Sequence, residues 1–196
     1  MKLIVMTKPD FFIEEDKILT ALFDEGLELL HLYKPNTEPV YSERLLSLIP
    51  DSYCKKIVVH AHYYLKNEFG LAGINLDNEH DEVPSSFKSK ASCTCNSIMS
   101  LADKDVKKKF QYMILDNTFN ETRNREELLR ASDAGLINKK VYALGGVNID
   151  NIKFAQELGF GGVVLRSDLW NKFDIHKQTD YKDLITYFIK IKKLIG

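Results

Sequence analysis

The stretch Val141-Tyr142-Ala143-Leu144-Gly145-Gly146-Val147, continued by Ile149 to Leu158 and by Gly159-Phe160-Gly161-Gly162-Val163-Val164-Leu165-Arg166-Ser167, decides how the rest of the chain is read. Apolar residues on consecutive positions at Val141 to Leu144 and Gly162 to Leu165 predict parallel strands covered on both faces. The helical spacing between them completes a βαβ unit. Two glycines directly after a buried strand permit a tight turn with bare N–H groups, and the second strand runs into Arg166-Ser167, which adds donors. Gly145, Gly146, Arg166 and Ser167 therefore form a donor set that suits a phosphate. In (β/α)8 barrels such a pocket is frequently built after strands 7 and 8 with the N-terminus of a short extra helix, expected here at Asp168 to Asn171.

Outward from that unit, short apolar runs alternate with helical patterns along the whole chain. Strands are expected at Leu3 to Met6, Glu28 to Leu32, Lys56 to Val59, Gly73 to Leu76, Lys90 to Cys93 and Tyr112 to Leu115, which with the two above makes eight. Helices are expected at Glu14 to Glu25, Tyr41 to Leu48, Tyr64 to Phe69, Ser97 to Asp105, Arg125 to Ala134, Ile149 to Leu158 and Tyr181 to Ile195. Asn96 and Asn148 are expected to cap the helices that follow them. The connection Asp77 to Ser89 has no helical period, and Pro84-Ser85-Ser86 predicts loop or a single turn. The expectation is one short (β/α)8 TIM barrel over residues 1–196, an α/β fold with a reduced helix after strand 4 and its site at the C-terminal mouth.

Composition narrows the partners. The 196 residues carry a formal net charge of -1, so no global field favours nucleic acid or an anionic membrane. No apolar run approaches a membrane span and the opening residues are too short for a signal peptide, which predicts a cytoplasmic protein. The sequence carries no signal for oligomeric state. Cys54, Cys93 and Cys95 form no disulfide framework and are expected as reduced thiols. A Zn²⁺ site would need His31, His60 or His62 to converge with Cys93 or Cys95, and no pair among them has zinc-motif spacing. His31 and His60 are better read as hydrogen-bonded residues of the mouth. Asp116 directly follows an apolar strand on the face where barrels do chemistry, which makes it the sharpest acid candidate; a structural salt bridge is the competing reading.

Over nearly its whole length the chain resembles the thiamine phosphate synthase and thiazole tautomerase family. Ala143-Leu144-Gly145-Gly146-Val147 matches the family's A-I-G-G-I, and the segment from Gly159 to Ser167 matches G-A-x-G-V-A-V-x-S. Leu30 to Pro35, Val58 to Ala61, Leu71 to Leu76 and Tyr112 to Leu115 follow in family order. The resemblance implies coupling of hydroxymethylpyrimidine pyrophosphate to a thiazole phosphate with release of pyrophosphate, aided by Mg²⁺. Gly146 and Ser167 map onto family phosphate contacts.

The other end of the site departs from the family. Q-x-R-x-K becomes His31-Leu32-Tyr33-Lys34-Pro35, so Tyr33 stands for the arginine and the lysine is displaced to Lys34 or absent. N-D becomes His60-Ala61, which removes a carboxylate expected on Mg²⁺. H-L-G-Q-x-D becomes Asn75-Leu76-Asp77-Asn78-Glu79-His80, leaving Asp77, or its neighbours Glu79 or Asp81, as the metal-supporting acid; S-x-H becomes Thr94-Cys95-Asn96. The T-x-T-K segment becomes Asn120-Glu121-Thr122-Arg123-Asn124, with Thr122 and Arg123 as shifted equivalents. The synthase reading puts Lys34, Asn75, Thr122 and Arg123 on the pyrophosphate and pyrimidine, and Gly146 with Ser167 on the thiazole phosphate. A tautomerase would need no metal and would use His31, His60 or Asp116 as base. A binding protein would keep the phosphate pocket without the chemistry.

Overall fold

The computed structural model describes residues 1–121, 123–174 and 180–196. Eight parallel strands close into a barrel in chain order: β1 Lys2–Met6, β2 Leu29–Leu32, β3 Ile57–Val59, β4 Gly73–Leu76, β5 Ala91–Cys95, β6 Met113–Leu115, β7 Val141–Ala143 and β8 Gly162–Leu165. Closure is made by β1 against β8, with Leu3 opposite Val163 and Val5 opposite Leu165. All eight expected strands are present, with ends shifted by at most two residues; the largest change is β5, which runs on to Cys95.

The helices follow the period of their apolar residues. In α1 (Glu15–Asp24) Ile18, Leu19, Leu22 and Phe23 are buried, one stripe facing the sheet. Next come α2 (Pro39–Leu48), started by proline in its first turn where no intrahelical N–H is needed, the short α3 (Asp51–Cys54) and α4 (Leu65–Glu68). After β4 there is a single 3₁₀ turn at Ser85–Phe87, as Pro84-Ser85-Ser86 predicts. Then α6 (Arg125–Asp133), α7 (Ile152–Glu157), α8 (Ser167–Trp170) and α9 (Lys182–Ile195) complete the outer layer. Leu184, Phe188, Ile191 and Ile195 bury one face of α9, which packs on α1, α7, α8 and β1. Leu194, beside that stripe, is exposed.

Two helix expectations need correction. The segment Ser97 to Asp105 is not one helix: a 3₁₀ turn at Ile98–Leu101 precedes α5 (Lys104–Lys109), because Asp103 takes the N–H groups of Asp105 and Val106 and starts a new element. The first of these is capped by Ser97, whose hydroxyl accepts from Met99 N–H, and not by Asn96. Likewise α7 begins three residues after Ile149. Asn148 Oδ1 accepts from Asp150 N–H and Asn151 Oδ1 from Asn148 N–H, a local turn that competes with helix.

Side chains alternate across each strand, so every second residue enters the barrel. On the β1, β6, β7 and β8 side the interior is apolar: Ile4, Met6, Ile114, Tyr142, Leu144 and Val164 form one buried cluster. On the β2 to β5 side the buried interior includes His31, His60, Asn75 and Ser92. Cys93 and Cys95 point outward into the layer between sheet and helices, which Cys54 on α3 also joins.

Candidate active site at the barrel mouth

The turn after β7 is fixed by its glycines. Gly145 has φ +85° and Gly146 φ +69°, in the left-handed region where a side chain is strained. Both also lie hard against the loop after β6: a Cβ on Gly145 would meet Asn117 N at 2.6 Å, and one on Gly146 would meet Phe119 O at 2.6 Å. Thr118 N–H donates to Leu144 O (2.8 Å), Phe119 N–H to Gly145 O (2.9 Å) and Asn151 Nδ2 to Gly146 O (2.7 Å). The glycine carbonyls are thereby held away. Among the described residues the N–H groups of Gly145, Gly146 and Val147 donate to no protein acceptor. Across from this turn, α8 starts at Ser167 with no side-chain cap. Turn and helix start line one cavity of about 380 Å³, together with Asp116, Asn117, Asn120, Arg166 and Asn171. Bare N–H groups from two elements around one cavity are the arrangement that oxyanions take.

Beside it lies a smaller cavity of about 170 Å³. Its walls are the last inward residues of the strands and the residues just beyond them: Met6, Tyr33, His60, Asp77, Thr94, Asn96, Asp116, Leu144 and Arg166. Asp116, Leu144 and Arg166 belong to both cavities. Asp116 Oδ1 accepts from Asn117 N–H at 2.6 Å, which aims the carboxylate along the seam between them. Arg166 turns inward, its guanidinium 5.4 Å from the centre of the Tyr33 ring.

Below this floor a hydrogen-bonded line runs into the barrel. His60 Nδ1 lies 2.7 Å from Asp77 Oδ1, His60 Nε2 lies 2.9 Å from His31 Nδ1, and His31 Nε2 lies 2.8 Å from the Tyr112 hydroxyl. One direction satisfies every atom with neutral rings. His60 Nδ1–H donates to the Asp77 carboxylate, His31 Nδ1–H to His60 Nε2, and Tyr112 O–H to His31 Nε2. Burial, helped by the neighbouring His60, holds His31 well below the ordinary imidazole range, which keeps it neutral. Burial also pushes the Tyr112 phenol up. Asn75 Nδ2 donates to Thr94 Oγ1 (3.0 Å), and Ser92 Oγ donates to Asn75 Oδ1 (2.9 Å).

These placements correct several sequence expectations. His31 is no mouth residue; it is fully buried, and both of its ring nitrogens are engaged. His60 reaches the inner cavity but is likewise engaged at both nitrogens, so neither imidazole is free as a base. Asn75 lies under the floor rather than in it. Lys34, expected on pyrophosphate, is 1% exposed and uses its three donors on Glu15 Oε1 (2.7 Å), Glu15 Oε2 (2.9 Å) and Asp10 O (2.9 Å). Burial pushes Glu15 up to about 7 and Lys34 down, so this pair is costly to bury and holds the α1 start against the loop after β2. Arg123 is also internal: it donates to Asn96 O (2.7 Å), Asp116 O (3.1 Å) and Asn117 O (3.1 Å). Thr122 lies outside the described residues.

No group of three or more His, Cys, Asp or Glu side chains converges as a metal site among the described residues. Cys93 is fully buried, with its thiol pushed up by burial, and Cys95 is pushed up to about 12 for the same reason. The residues that sequence reasoning missed are Met6, Tyr33, Thr94 and Asn96 as walls of the inner cavity. The signal was period two: Tyr33 follows His31 by two, and Thr94 and Asn96 continue Ser92.

No family model matches the sequence, and no curated protein matches it. Among solved structures the chain is similar to thiamine phosphate pyrophosphorylase from Bacteroides thetaiotaomicron, at 48% identity over 99% of this chain and 97% of that one, with a TM-score of 0.91. It shares its fold with thiamine phosphate pyrophosphorylase from Pyrococcus furiosus (15% identity, 99% of this chain, 95% of that one, TM-score 0.75). The same holds for a tryptophan synthase α-subunit from Pyrococcus furiosus (15%, 99%, 96%, TM-score 0.63). At 48% identity over 99% of its length, with the glycine turn and the closed eight-stranded barrel in place, the chain belongs to the thiamine phosphate pyrophosphorylase family.

Proposed function

We propose that this protein is a thiamine phosphate synthase that joins hydroxymethylpyrimidine pyrophosphate to a thiazole phosphate and releases pyrophosphate. The observation that carries the reading is the pair of adjoining cavities. One is ringed by backbone donors and the other walled by side chains, and Asp116, Leu144 and Arg166 are common to both. A phosphate anchored by the Gly145-Gly146 turn, Ser167 and Arg166 leaves the thiazole ring pointing at the seam. The inner cavity offers the pyrimidine a ring (Tyr33), a sulfur (Met6) and hydrogen-bonding groups (Thr94, Asn96).

At the seam the thiazole nitrogen forms a bond to the pyrimidine methylene carbon as the bond from that carbon to the diphosphate oxygen breaks. The electron pair leaves with the diphosphate. The chain's part is to hold the thiazole nitrogen, the methylene carbon and the leaving diphosphate oxygen in line and to keep water from the methylene, which is where the Leu144, Met6 and Tyr33 walls act. When bound, Mg²⁺ neutralises charge on the diphosphate. The donor set suits a metal that arrives on the substrate: Mg²⁺ takes one or two carboxylates plus substrate oxygens. Asp77, with a side chain 53% exposed and Oδ1 held by His60, and Asp116 both border the inner cavity.

His31 and His60 have both ring nitrogens engaged within the protein, so the geometry gives no support to a histidine-based tautomerase. No helix among the described residues is long and apolar enough to cross a membrane. The test is purified protein with both precursors and Mg²⁺, following thiamine phosphate and pyrophosphate together. Equal formation of the two supports the reading, and neither product at any Mg²⁺ concentration overturns it.

A further inference from the structure

We infer that Arg166 is the cation that receives the departing diphosphate, from a position it shares with the phosphate cradle. This rests on the reading of the mouth as two adjoining ligand sites and deepens it, because the sequence nominated Lys34 and Arg123 for that task and both are committed elsewhere. Lys34 has three N–H donors and three acceptors on Glu15 and Asp10. Arg123 spends its donors on the Asn96, Asp116 and Asn117 carbonyls and lies 3.8 Å from Glu127. Moving Lys34 toward a ligand would strip the buried Glu15 carboxylate of its donors, and moving Arg123 would break three carbonyl contacts at once, which costs more than one new contact returns.

Arg166 is in the opposite condition. Among the described residues it forms no ion pair. Its guanidinium rests over the Tyr33 ring at 5.4 Å, with Nη1 4.0 Å from Met6 Sδ, a weak acceptor. It is the one Lys or Arg among the described residues lining either cavity, and it lines both. The backbone explains the reach: Arg166 directly follows β8 at φ -137° and ψ -97°, a sharp turn that sends Ser167 into α8 while the side chain continues the inward row of Gly162 and Val164. A planar guanidinium parked on an aromatic face keeps its N–H edge open, and that edge matches two oxygens of a diphosphate at once. Tyr33 is then a positioning residue. Its ring fixes the height of the guanidinium above the inner cavity.

The inference separates cleanly from the coupling reaction by using inorganic ligands. Isothermal titration would be run on wild-type protein with inorganic pyrophosphate in Mg²⁺ and, separately, with inorganic phosphate. Arg166→Gln should weaken pyrophosphate about tenfold to a hundredfold, as expected for lost charge-assisted hydrogen bonds, while phosphate weakens less because the glycine turn remains. Arg166→Lys should restore part of the phosphate affinity and little of the pyrophosphate affinity, since an ammonium lacks the fork. Tyr33→Leu should weaken pyrophosphate and Tyr33→Phe should not. Unchanged pyrophosphate affinity in folded Arg166→Gln, or full rescue of it by lysine, overturns the inference. Failure of wild-type protein to bind pyrophosphate overturns it too. If pyrophosphate binding depends on Arg166 but no thiamine phosphate forms, the inference stands and the coupling reading falls. If coupling proceeds in Arg166→Gln with wild-type kcat and KM for the pyrimidine diphosphate, the coupling reading stands and the inference falls.

Discussion

On the β7 and β8 side of the mouth, donors face the cavity: the N–H groups of Gly145, Gly146 and Val147 and the guanidinium of Arg166 have no strong acceptor among the described residues. On the β2 to β4 side, donors are spent at home, with Lys34 on Glu15, His31 on His60 and His60 on Asp77. The two sides contribute different things to one reaction. The first supplies free hydrogen-bonding capacity, which is affinity for anions. The second supplies fixed geometry, because a buried polar group with every partner in place holds its neighbours in one arrangement and is expensive to disturb. The comparison teaches that a polar residue near a barrel mouth is not thereby a ligand contact. What counts is whether its partners are already inside the protein.

The sharpest way to break this contrast is Lys34→Met. Removing the ammonium leaves the Glu15 carboxylate buried at 1% side-chain exposure, and a loss of about 3–5 kcal/mol in denaturant unfolding is expected. A fully stable variant that had lost only pyrophosphate binding would show that Lys34 faces ligand after all. His31→Phe should cost about 1–3 kcal/mol by orphaning His60 Nε2 and the Tyr112 hydroxyl, with phosphate binding at the cradle retained. On the other side, Gly146→Ala should cost roughly 1–3 kcal/mol, since it forces a side chain into positive φ against Phe119 O. It should also abolish the thermal protection given by thiazole phosphate. The signature that distinguishes the sides is therefore stability without binding loss for His31, and binding loss out of proportion to stability for Gly146.

A smaller effect is expected from pH. Burial raises the folded-state value of Glu15 to about 7, from an ordinary 4.5. Between those values the folded protein keeps a proton that the unfolded chain gives up. The stability contributed by this group is complete below about 4.5 and is lost as pH rises through about 7. The stability difference between wild type and Glu15→Gln, followed by urea unfolding from pH 5 to 8, should change through that window and level off above it. A difference independent of pH would contradict the placement of Glu15 in a desolvated pair.

The barrel was legible because its signals are local: eight apolar runs, helices between them, and a glycine pair whose function depends on backbone freedom alone. The cradle was legible for the same reason. The β2 to β4 side was not, because its meaning lies in pairs distant in sequence. Nothing near Lys34 announces that its partner is Glu15, nineteen residues earlier on the first helix. His31 lies on β2 opposite Val58, His60 lies just beyond the end of β3, and only that register brings the rings together. Arg123 looked like a ligand contact by position in a loop, yet the positive φ of Asn117 turns the loop's carbonyls onto it. Period two along the strands would have found Tyr33, Thr94 and Asn96, since inward positions continue past each strand end.

The most direct test of the account is a crystal structure of the protein with thiazole phosphate bound. The phosphate oxygens should lie within hydrogen-bonding distance of the Gly146 N–H and of Ser167, with the thiazole ring directed toward Asp116 and Leu144 and with Lys34 still paired to Glu15. A phosphate held instead by Lys34 or His60, with the glycine turn empty, would contradict it.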